Sequence, residues 1–327
     1  MLTSRRAILK SAVTAPVLAL PATKLFGQEI AYPTGPVVSV GMFPAGTGGD
    51  IIVRFYTNKL QAALGKPVVV EIKLGMGGSM AAGYVAQAKP DGYTIFMSSS
   101  SALAAAPWLY KKLPYDPTKS FAYVTPMFQA TFVMVVPSNS PHKTLADLTD
   151  YLRKKGDKGG YGSATNFSKV ASSIYKSKAG LSTVEVPYKS GLDALNDLHA
   201  GLIDFYFTDS GTIKNQIAPG GKLRALMTTS HDRFSALPGV PSAKEAGIDM
   251  NLVAYWALYV PTGTPQPVIE KLAKAMAPIV ASEEAKAFLA NLGFDPWLGN
   301  GQMVGEMIDR ETKLWSEYVK LAGIQAQ

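Results

Sequence analysis

Apolar and polar positions in the first part of the chain follow two alternating periods. Short runs rich in β-branched residues predict strands at residues 37–43, 68–72 and 93–97. Between them, apolar residues recur at helical spacing over residues 51–64 and 79–89. Each helix carries the chain back to the starting edge of the sheet, so successive strands in this order pair in parallel. The pattern therefore predicts a parallel sheet covered by helices.

The same alternation resumes after a proline-rich stretch. Strands are predicted at residues 132–136, 160–162, 184–186, 203–207 and 223–228, with helices near 144–155, 166–179, 190–200 and 210–218. An apolar strand over residues 252–260 and two amphipathic helices, 266–292 and 302–322, complete the chain. Because strands and helices alternate throughout, the fold class is α/β, with a second α/β unit after the proline-rich stretch.

Composition excludes several kinds of catalytic and metal site. The chain has 327 residues, of which 47% are hydrophobic and none is Cys. Disulfide scaffolds, thiolate zinc sites, iron–sulfur clusters and cysteine nucleophiles all need sulfur atoms that this chain does not contain. The three histidines, His142, His199 and His231, are expected to be solvated or to cap helices. We therefore expect no metal site, no cofactor and no catalytic residue.

Much of the positive charge lies at the N-terminus. The chain has 32 Lys and Arg against 24 Asp and Glu, a formal net charge of +8. Arg5, Arg6, Lys10 and Lys24 are four of these bases, so residues 28–327 carry 28 bases against 24 acids, or +4. No run of more than three bases remains, and aromatic residues are not interleaved with bases. A nucleic-acid partner is therefore not expected.

The first 27 residues have the organisation of an export signal. A basic segment with adjacent Arg5 and Arg6 precedes a short apolar stretch and small residues. An ordinary amphipathic helix is the alternative, which Pro16 and Pro21 disfavour. We predict a twin-arginine-type signal peptide over residues 1–27, and hence a periplasmic protein.

Four loops that follow predicted strands are rich in glycine and small hydroxyl residues. They cover residues 44–50, 74–79, 98–101 and 162–168, and none of them contains Lys or Arg. The carboxyl ends of parallel strands meet at one edge of a sheet, where glycine lets the backbone approach a ligand and a helix N-terminus favours an anion. Glycine-rich turns also arise for conformational reasons alone. Together the loops predict a site that holds a carboxylate through neutral donors.

Other chemistry associated with such loops does not fit. The second loop lacks the third glycine of a dinucleotide-binding motif, and no glycine loop ends in Gly-Lys-Ser/Thr. Ser163 follows Gly162 directly and so lacks the G-x-S-x-G frame of a nucleophilic serine.

Two aspartates near strand ends each have two interpretations. Asp209, just after a predicted strand, either caps the next helix or meets a cationic or hydroxyl group of a ligand. Asp50 has the same two interpretations, with capping favoured.

Several longer motifs are spread over the chain. They are FPAGTGGD (43–50), VEIKLGMGG (70–78), AKPDGYT (88–94), LPYDP (113–117), YGSA (161–164), VPYK (186–189), GKLRAL (221–226) and LPGVP (237–241). With these motifs, the chain resembles the substrate-binding proteins of tripartite tricarboxylate transporters, the Bug-type receptors, from about residue 33 to residue 323. Because the motifs run through nearly the whole chain, the resemblance is specific.

The resemblance implies a two-domain periplasmic-binding-protein fold of the Venus-flytrap, type II-like kind, in which each domain is a mainly parallel sheet flanked by helices. One domain would comprise residues 28–131 plus 254–327, and the other residues 132–253. The cleft between them would close on a small organic acid, either a mono- or a dicarboxylate, aromatic acids included. A monomeric receptor would then present this ligand to the membrane permease subunits of a tripartite transporter.

The resemblance also implies which residues bind the ligand, largely through backbone amides and small hydroxyls. Carried over, they are Phe43, Ala45, Gly46, Thr47, Ser98, Ser99, Ser100, Gly162, Ser163, Ala164, Thr165, Asn166, Ser168 and Asp209. The chain departs from the family at Phe167, which replaces a common glycine. Its ring would narrow the cleft or stack on an aromatic acid.

Two other functions stay open at this level. A receptor of this fold could signal through a membrane sensor instead of feeding a permease. An exported enzyme is the second alternative, since the twin-arginine route often carries proteins that fold around cofactors. The sequence contains no metal-ligand cluster, nucleophile–base pair or nucleotide loop that would support catalysis. We therefore predict a receptor and not an enzyme.

Overall fold

The computed structural model describes residues 31–327, so the signal peptide predicted over residues 1–27 lies outside the described residues. The strands are β1 (Val37–Gly41), β2 (Val68–Ile72), β3 (Thr94–Ser99), β4 (Phe121–Pro137), β5 (Gly160–Ser163), β6 (Val184–Pro187), β7 (Phe205–Asp209), β8 (Leu223–Thr228), β9 (Val253–Pro261) and β10 (Asp295–Pro296). The α-helices are α1 (Gly48–Leu64), α2 (Ser79–Ala86), α3 (Ala106–Leu109), α4 (Leu145–Lys155), α5 (Asn166–Ala179), α6 (Gly191–His199), α7 (Ser210–Ile213), α8 (Gln266–Ala281), α9 (Glu283–Asn291) and α10 (Gly301–Leu321).

The strands form one mixed sheet in the order β2-β1-β3-β9-β4-β7-β5-β6, and β8 and β10 also pair with β4. At one end β1 is parallel to β2 and β3, and at the other end β5 is parallel to β6 and β7. In the middle, β9 is antiparallel to both β3 and β4. The predicted α/β class is therefore confirmed, with parallel strands at both ends and antiparallel strands between them.

The long strand β4 connects the two ends of the sheet. Residues 121–131 pair with β9, whereas residues 132–137 pair with β7 and β8. The sequence pattern predicted only the second part, because Pro126 and two register shifts interrupt the first part. Residues Tyr32–Gln327 pack as one unit, and the two-domain division inferred from the resemblance stays a prediction.

Two predicted helices differ from those observed. The helix expected over residues 266–292 is divided into α8 and α9, because Ser282 is extended and its side chain accepts a bond from the Ala285 amide. Ser282 thus starts a new helix instead of continuing the old one. The helix expected over residues 210–218 is only the four-residue α7, after which turns such as Gln216 N to Ile213 O, 2.8 Å, replace it.

Apolar side chains form two cores. The first surrounds the β1, β2 and β3 strands and includes Tyr56 of α1 and Leu272 of α8. The second includes Val135 of β4, Phe205 of β7 and Trp315 of α10. Among residues 31–327, no helix is both long enough and apolar enough to cross a membrane. The cores fix the strand ends, and with them the loops that follow.

Candidate ligand-binding site

The loop after β1 is anchored by an aromatic stack. The Phe43 ring stacks on Trp256 of β9 with centroids 5.3 Å apart, and Trp256 stacks on Phe128 of β4 at 4.8 Å. A Cβ atom at Gly49 would lie 2.5 Å from the Phe43 ring, so this packing requires glycine there. The stack fixes the start of the loop and leaves residues 45–47 exposed.

The carboxylate of Asp50 holds the same loop. Its Oδ2 accepts a bond from the Gly46 amide at 2.8 Å and one from Nε of Arg54 at 2.9 Å. Burial raises the pKa of this carboxyl, but the bonds from Arg54 and Gly46 outweigh burial and hold the pKa below its usual value. The N-cap of α1 is Thr47. The capping role favoured for Asp50 is therefore wrong, and Asp50 instead fixes the loop in front of the helix.

The serines at the end of β3 are buried rather than presented in an open loop. The exposed fractions of Ser98, Ser99 and Ser100 are 0%, 6% and 2%. The Ser99 hydroxyl shares a 2.6 Å hydrogen bond with the Ser101 hydroxyl, and the Ser100 amide donates to the Tyr255 carbonyl at 2.6 Å. The expectation of a loop over residues 98–101 is therefore wrong at Ser98 and Ser99, which belong to the strand.

The first loop and the serine segment meet at β9. Phe43 stacks on Trp256, and Ser100 is bonded to the adjacent residue, Tyr255. Trp256 and Tyr255 follow each other in a strand that also pairs with β4. The predicted site residues of the first loop and those of the serine segment are therefore joined through the same short stretch of β9.

The loop after β5 ends in a capping box that starts α5. The Thr165 side chain accepts a bond from the Ser168 amide at 3.1 Å. In return, the Ser168 hydroxyl oxygen accepts bonds from the Ala164 and Thr165 amides at 3.0 and 2.9 Å. This reciprocal arrangement satisfies donors that would otherwise be free at a helix start. Asn166, the first residue of α5, is exposed.

Gly162 and Ser163, at the end of β5, are committed to neighbouring elements. A Cβ atom at Gly162 would lie 2.9 Å from Ile203, so close packing requires glycine there. The Ser163 hydroxyl donates to Oε1 of Glu185 at 2.5 Å, and Nζ of Lys169 lies 3.0 Å from Oε2 of the same carboxylate. Ser163 thus belongs to a charged network that the sequence pattern did not reveal.

The Phe167 ring is packed against other aromatic rings. It stacks on Phe132 of β4 at 4.7 Å and meets Trp315 of α10 edge to face at 4.9 Å. Aromatic pairs in these geometries stabilise beyond the burial of their area. The ring therefore bridges α5, β4 and α10. Its partner Phe132 also lines a cavity beside β7.

A cavity of about 340 Å³ lies beside β7 and the start of α5. Its lining comprises Phe132, Thr165, Gly191, Leu192, Leu195, Tyr206, Thr208, Asp209, Thr212 and Gln216. Of the predicted site residues it brings together Thr165 and Asp209, and it includes neither residues 43–47 nor residues 98–100. Asn166 lines a separate depression of about 70 Å³, next to Tyr110 and Gln325.

Asp209 caps α7, one of its two predicted roles. Its Oδ1 accepts a bond from the Thr212 amide at 2.8 Å, and its Oδ2 accepts one from the Thr212 hydroxyl at 2.6 Å. Asp209 is also half-buried in the lining of the cavity, so capping leaves it available to a ligand. Each carboxylate oxygen has two lone pairs and can accept one more bond.

Sequence reasoning missed several cavity residues. Tyr206 and Thr208, which carry hydroxyl groups, alternate with Phe205 and Phe207 along β7, and this alternation of residue type was the signal that could have found them. No local pattern marks Gly191, because its closest contact is with a residue distant in sequence. A Cβ atom at Gly191 would lie 3.2 Å from the Tyr206 hydroxyl. No three His, Cys, Asp or Glu side chains cluster as metal ligands would within residues 31–327.

Comparison with known proteins gives consistent relatives. The family model described as "Tripartite tricarboxylate transporter family receptor" matches residues 52–324. A UPF0065 protein from the tcbD–tcbE intergenic region of Pseudomonas sp. (strain P51) is 30% identical over 92% of this chain and 91% of its own.

Solved structures also share this fold. The Rhodopseudomonas palustris protein Rpa4515 with adipate has a TM-score of 0.77 and 26% identity, covering 90% of this chain and 100% of that one. The periplasmic binding protein BugD has a TM-score of 0.72 and 28% identity, with the same coverage. The fold of residues 31–327 is therefore that of periplasmic solute-binding proteins.

Proposed function

The chain belongs to the tripartite tricarboxylate transporter receptor family, and from this premise we propose that it is a periplasmic receptor for a small organic carboxylate. The receptor would deliver this ligand to the membrane permease subunits of a tripartite transporter. The observation that carries the proposal is the family match over residues 52–324, together with a fold shared with an adipate-bound relative. Such a receptor captures and releases its ligand unchanged, so we propose no enzymatic activity.

Two helix starts support an anionic ligand. Residues 45–47 are exposed in front of the 17-residue α1, and Asn166 is exposed in the first turn of the 14-residue α5. The first turn of a helix carries amides without intrahelical partners and the positive end of the helix dipole. A carboxylate could therefore be held by main-chain groups there and still be released.

The proposal includes closure of two lobes over the ligand. One lobe would be residues 28–131 plus 254–327, and the other residues 132–253. The pairing of β4 with β9 on one side and with β7 and β8 on the other supports a hinge within β4. Binding residues on both lobes would then meet only in the closed state.

The proposal also includes export. Residues 1–27 would direct the chain to the periplasm by the twin-arginine route, because Arg5 and Arg6 precede a short apolar segment. The same residues carry half of the net charge, since removing their four bases takes the chain from +8 to +4. The exported protein would therefore have only a mild preference for anions over its whole surface.

A ligand panel tests the proposed function. Residues 28–327 are unfolded and refolded to remove any bound ligand. Thermal unfolding is then followed with mono-, di- and tricarboxylates, aromatic acids and amino acids, and with sugars and metal chlorides for comparison. A ligand of the folded state stabilises it by RT ln(1 + [L]/Kd), about 2.7 kcal/mol at a hundredfold excess over Kd. We expect at least one carboxylate to raise the midpoint. Stabilisation by sugars or metal cations alone would contradict the proposal.

Charge variants link the binding to the two loops. Ala45→Asp and Asn166→Asp each place a carboxylate at an exposed position in one loop, and we expect each to weaken carboxylate binding roughly tenfold or more through like-charge repulsion. Asn58→Asp, at an exposed position of α1, makes the same change of charge as Asn166→Asp and should leave the affinity unchanged. Equal weakening by all three variants would mean that only the total charge matters.

A further inference from the structure

Several hydrogen-bond donors of the loop after β5 are already used within the protein. The single proton of the Ser163 hydroxyl is donated to Glu185, whose carboxylate is balanced by Lys169. The Ala164 and Thr165 amides both donate to Ser168, and the Ser168 hydroxyl donates to the Thr165 carbonyl at 2.8 Å. Four donors of this loop are therefore used within the protein, whereas Ser163 keeps lone pairs that can accept a bond.

The adjacent cavity also offers an acceptor. Asp209 carries the only charge among the residues that line it, judged over the described part of the chain. Both oxygens of Asp209 already accept bonds from Thr212, which fixes the direction of the carboxylate. A ligand that brought a second carboxylate to this position would face like-charge repulsion in a half-buried site.

Three other lining residues suit the carbon skeleton of a small acid, beside the hydroxyl and amide side chains of Thr165, Thr208, Thr212 and Gln216. Phe132 and Tyr206 contribute aromatic rings, and Leu195 contributes an aliphatic side chain. A volume of about 340 Å³ lies within the range of small-molecule sites. Ring faces attract cations as well as apolar groups, so a protonated amino group next to Asp209 would also be favoured by these rings.

We propose that the ligand carries, in addition to a carboxylate, a hydrogen-bond donor that docks against the carboxylate of Asp209. The donor is a protonated amino group or a hydroxyl group, so the ligand class is an amino- or hydroxycarboxylate rather than an unsubstituted mono- or diacid. This inference rests on the proposed function, because it assigns one end of the ligand that the proposed receptor would hold between its lobes.

Matched sets of acids test the inference by calorimetry. Each set shares one skeleton and differs in one substituent: succinate, malate and aspartate; propionate, lactate and alanine; adipate and 2-aminoadipate. We expect the protein to bind a donor-bearing acid at least tenfold more tightly than the unsubstituted acid of its set, since a bond to a charged group discriminates by that order. An amino acid that outcompetes the hydroxy acid identifies the donor as ammonium.

Asp209→Asn separates the charge of this residue from its capping role. Asparagine caps a helix about as well as aspartate, so α7 should be retained. We expect the preference for donor-bearing acids to fall to less than about threefold in this variant, with the larger loss for amino acids because only they carry a positive charge. Asp150→Asn, an exposed change on α4, is the matched control and should keep the full preference.

Three results would overturn the inference, each in a different way. If unsubstituted acids bind as tightly as their substituted partners, the ligand class is wrong. If the preference exists but is unchanged in Asp209→Asn with an unchanged melting midpoint, the donor docks elsewhere. If no carboxylate binds the unmodified protein, the proposed function fails together with the inference.

Discussion

Glu311 is a buried carboxyl group with little compensation for its burial. It lies in α10 with 1% of its side chain exposed, and neither carboxylate oxygen has a hydrogen-bond partner among residues 31–327. The nearest cation is Arg310, with Nε 3.7 Å from Oε1 and half of its side chain in solvent. The other titratable groups near it are the phenols of Tyr255 and Tyr318. Burial outweighs Arg310 and raises the pKa of Glu311 to about 7.

This carboxyl group makes stability depend on pH. The folded protein holds the proton more tightly than the unfolded chain, so the contribution is full below about pH 4.5 and is lost as the pH rises to about 7. At about 1.4 kcal/mol per pKa unit, the free energy of unfolding should fall by about 3 kcal/mol over this window. We expect Glu311→Gln to remove this fall, as measured by urea unfolding between pH 4.5 and 8.

A second variant on the same helix controls for the general effect of pH. Glu317 is exposed, so Glu317→Gln should follow the unmodified protein across the whole pH range. Parallel stability curves for the unmodified protein and Glu311→Gln would show that Glu311 is charged in the folded state. Such a result would point to a hydrogen-bonded or hydrated carboxylate in α10.

At the scale of residues, the sequence predicted where polar side chains lie better than which groups they bind. It placed Asp209 at a strand end and named both roles open to it, and the structure shows capping. It could not predict that Ser163 donates to Glu185, because β5 and β6 come together only when α5 folds between them. The partner of a hydroxyl group depends on neighbours distant in sequence, which no local pattern encodes.

At the scale of elements, helix starts with a capping signal were predicted well. The helix expected over residues 166–179 is observed with the same bounds, because Thr165 and Ser168 form a capping box and Gly180 ends the helix in a left-handed conformation. The first part of β4 was missed, since Pro126 cannot donate to the ladder and bulges break the alternation. Tertiary pairing with β9 overrides that weak local preference.

The two capping boxes provide a matched pair of variants. Thr144 caps α4 and Thr165 caps α5 with the same geometry, each accepting a bond of 3.1 Å from the amide three residues later. Replacing either by Ala should lower the free energy of unfolding by about 1 kcal/mol in urea. Only Thr165→Ala should also weaken ligand binding, because Thr165 lines the cavity. An equal loss of affinity in Thr144→Ala would show that binding follows global stability instead.

At the scale of the whole molecule, the sheet is continuous but its two ends differ in their connections. The strands at either end are parallel and are joined through helices, whereas β4 spans the middle. The sequence predicted both end units, and the resemblance supplied the idea that they are lobes of one receptor. The full length of the central strand β4 could not be predicted from the sequence, because its two halves pair with different strands that are distant in sequence.

Closure of the two lobes can be measured by fluorescence energy transfer. The chain has no Cys, so Cys introduced at the exposed positions Asn58 of α1 and Lys154 of α4 would be the only labelled sites. If ligand binding bends β4 near residues 131–132, the two helices move as parts of different rigid bodies and the transfer efficiency should rise on saturation with ligand.

A pair of labels at Asn58 and Asn291 is the control, because both positions lie in the lobe of residues 28–131 plus 254–327. In this lobe Nζ of Lys59 lies 2.5 Å from the carboxylate of Glu284 of α9, so the transfer efficiency of the control pair should not change. An unchanged signal from both pairs, under conditions where calorimetry shows binding, would mean that the site is formed without closure and that Asp209 meets its ligand in the open arrangement.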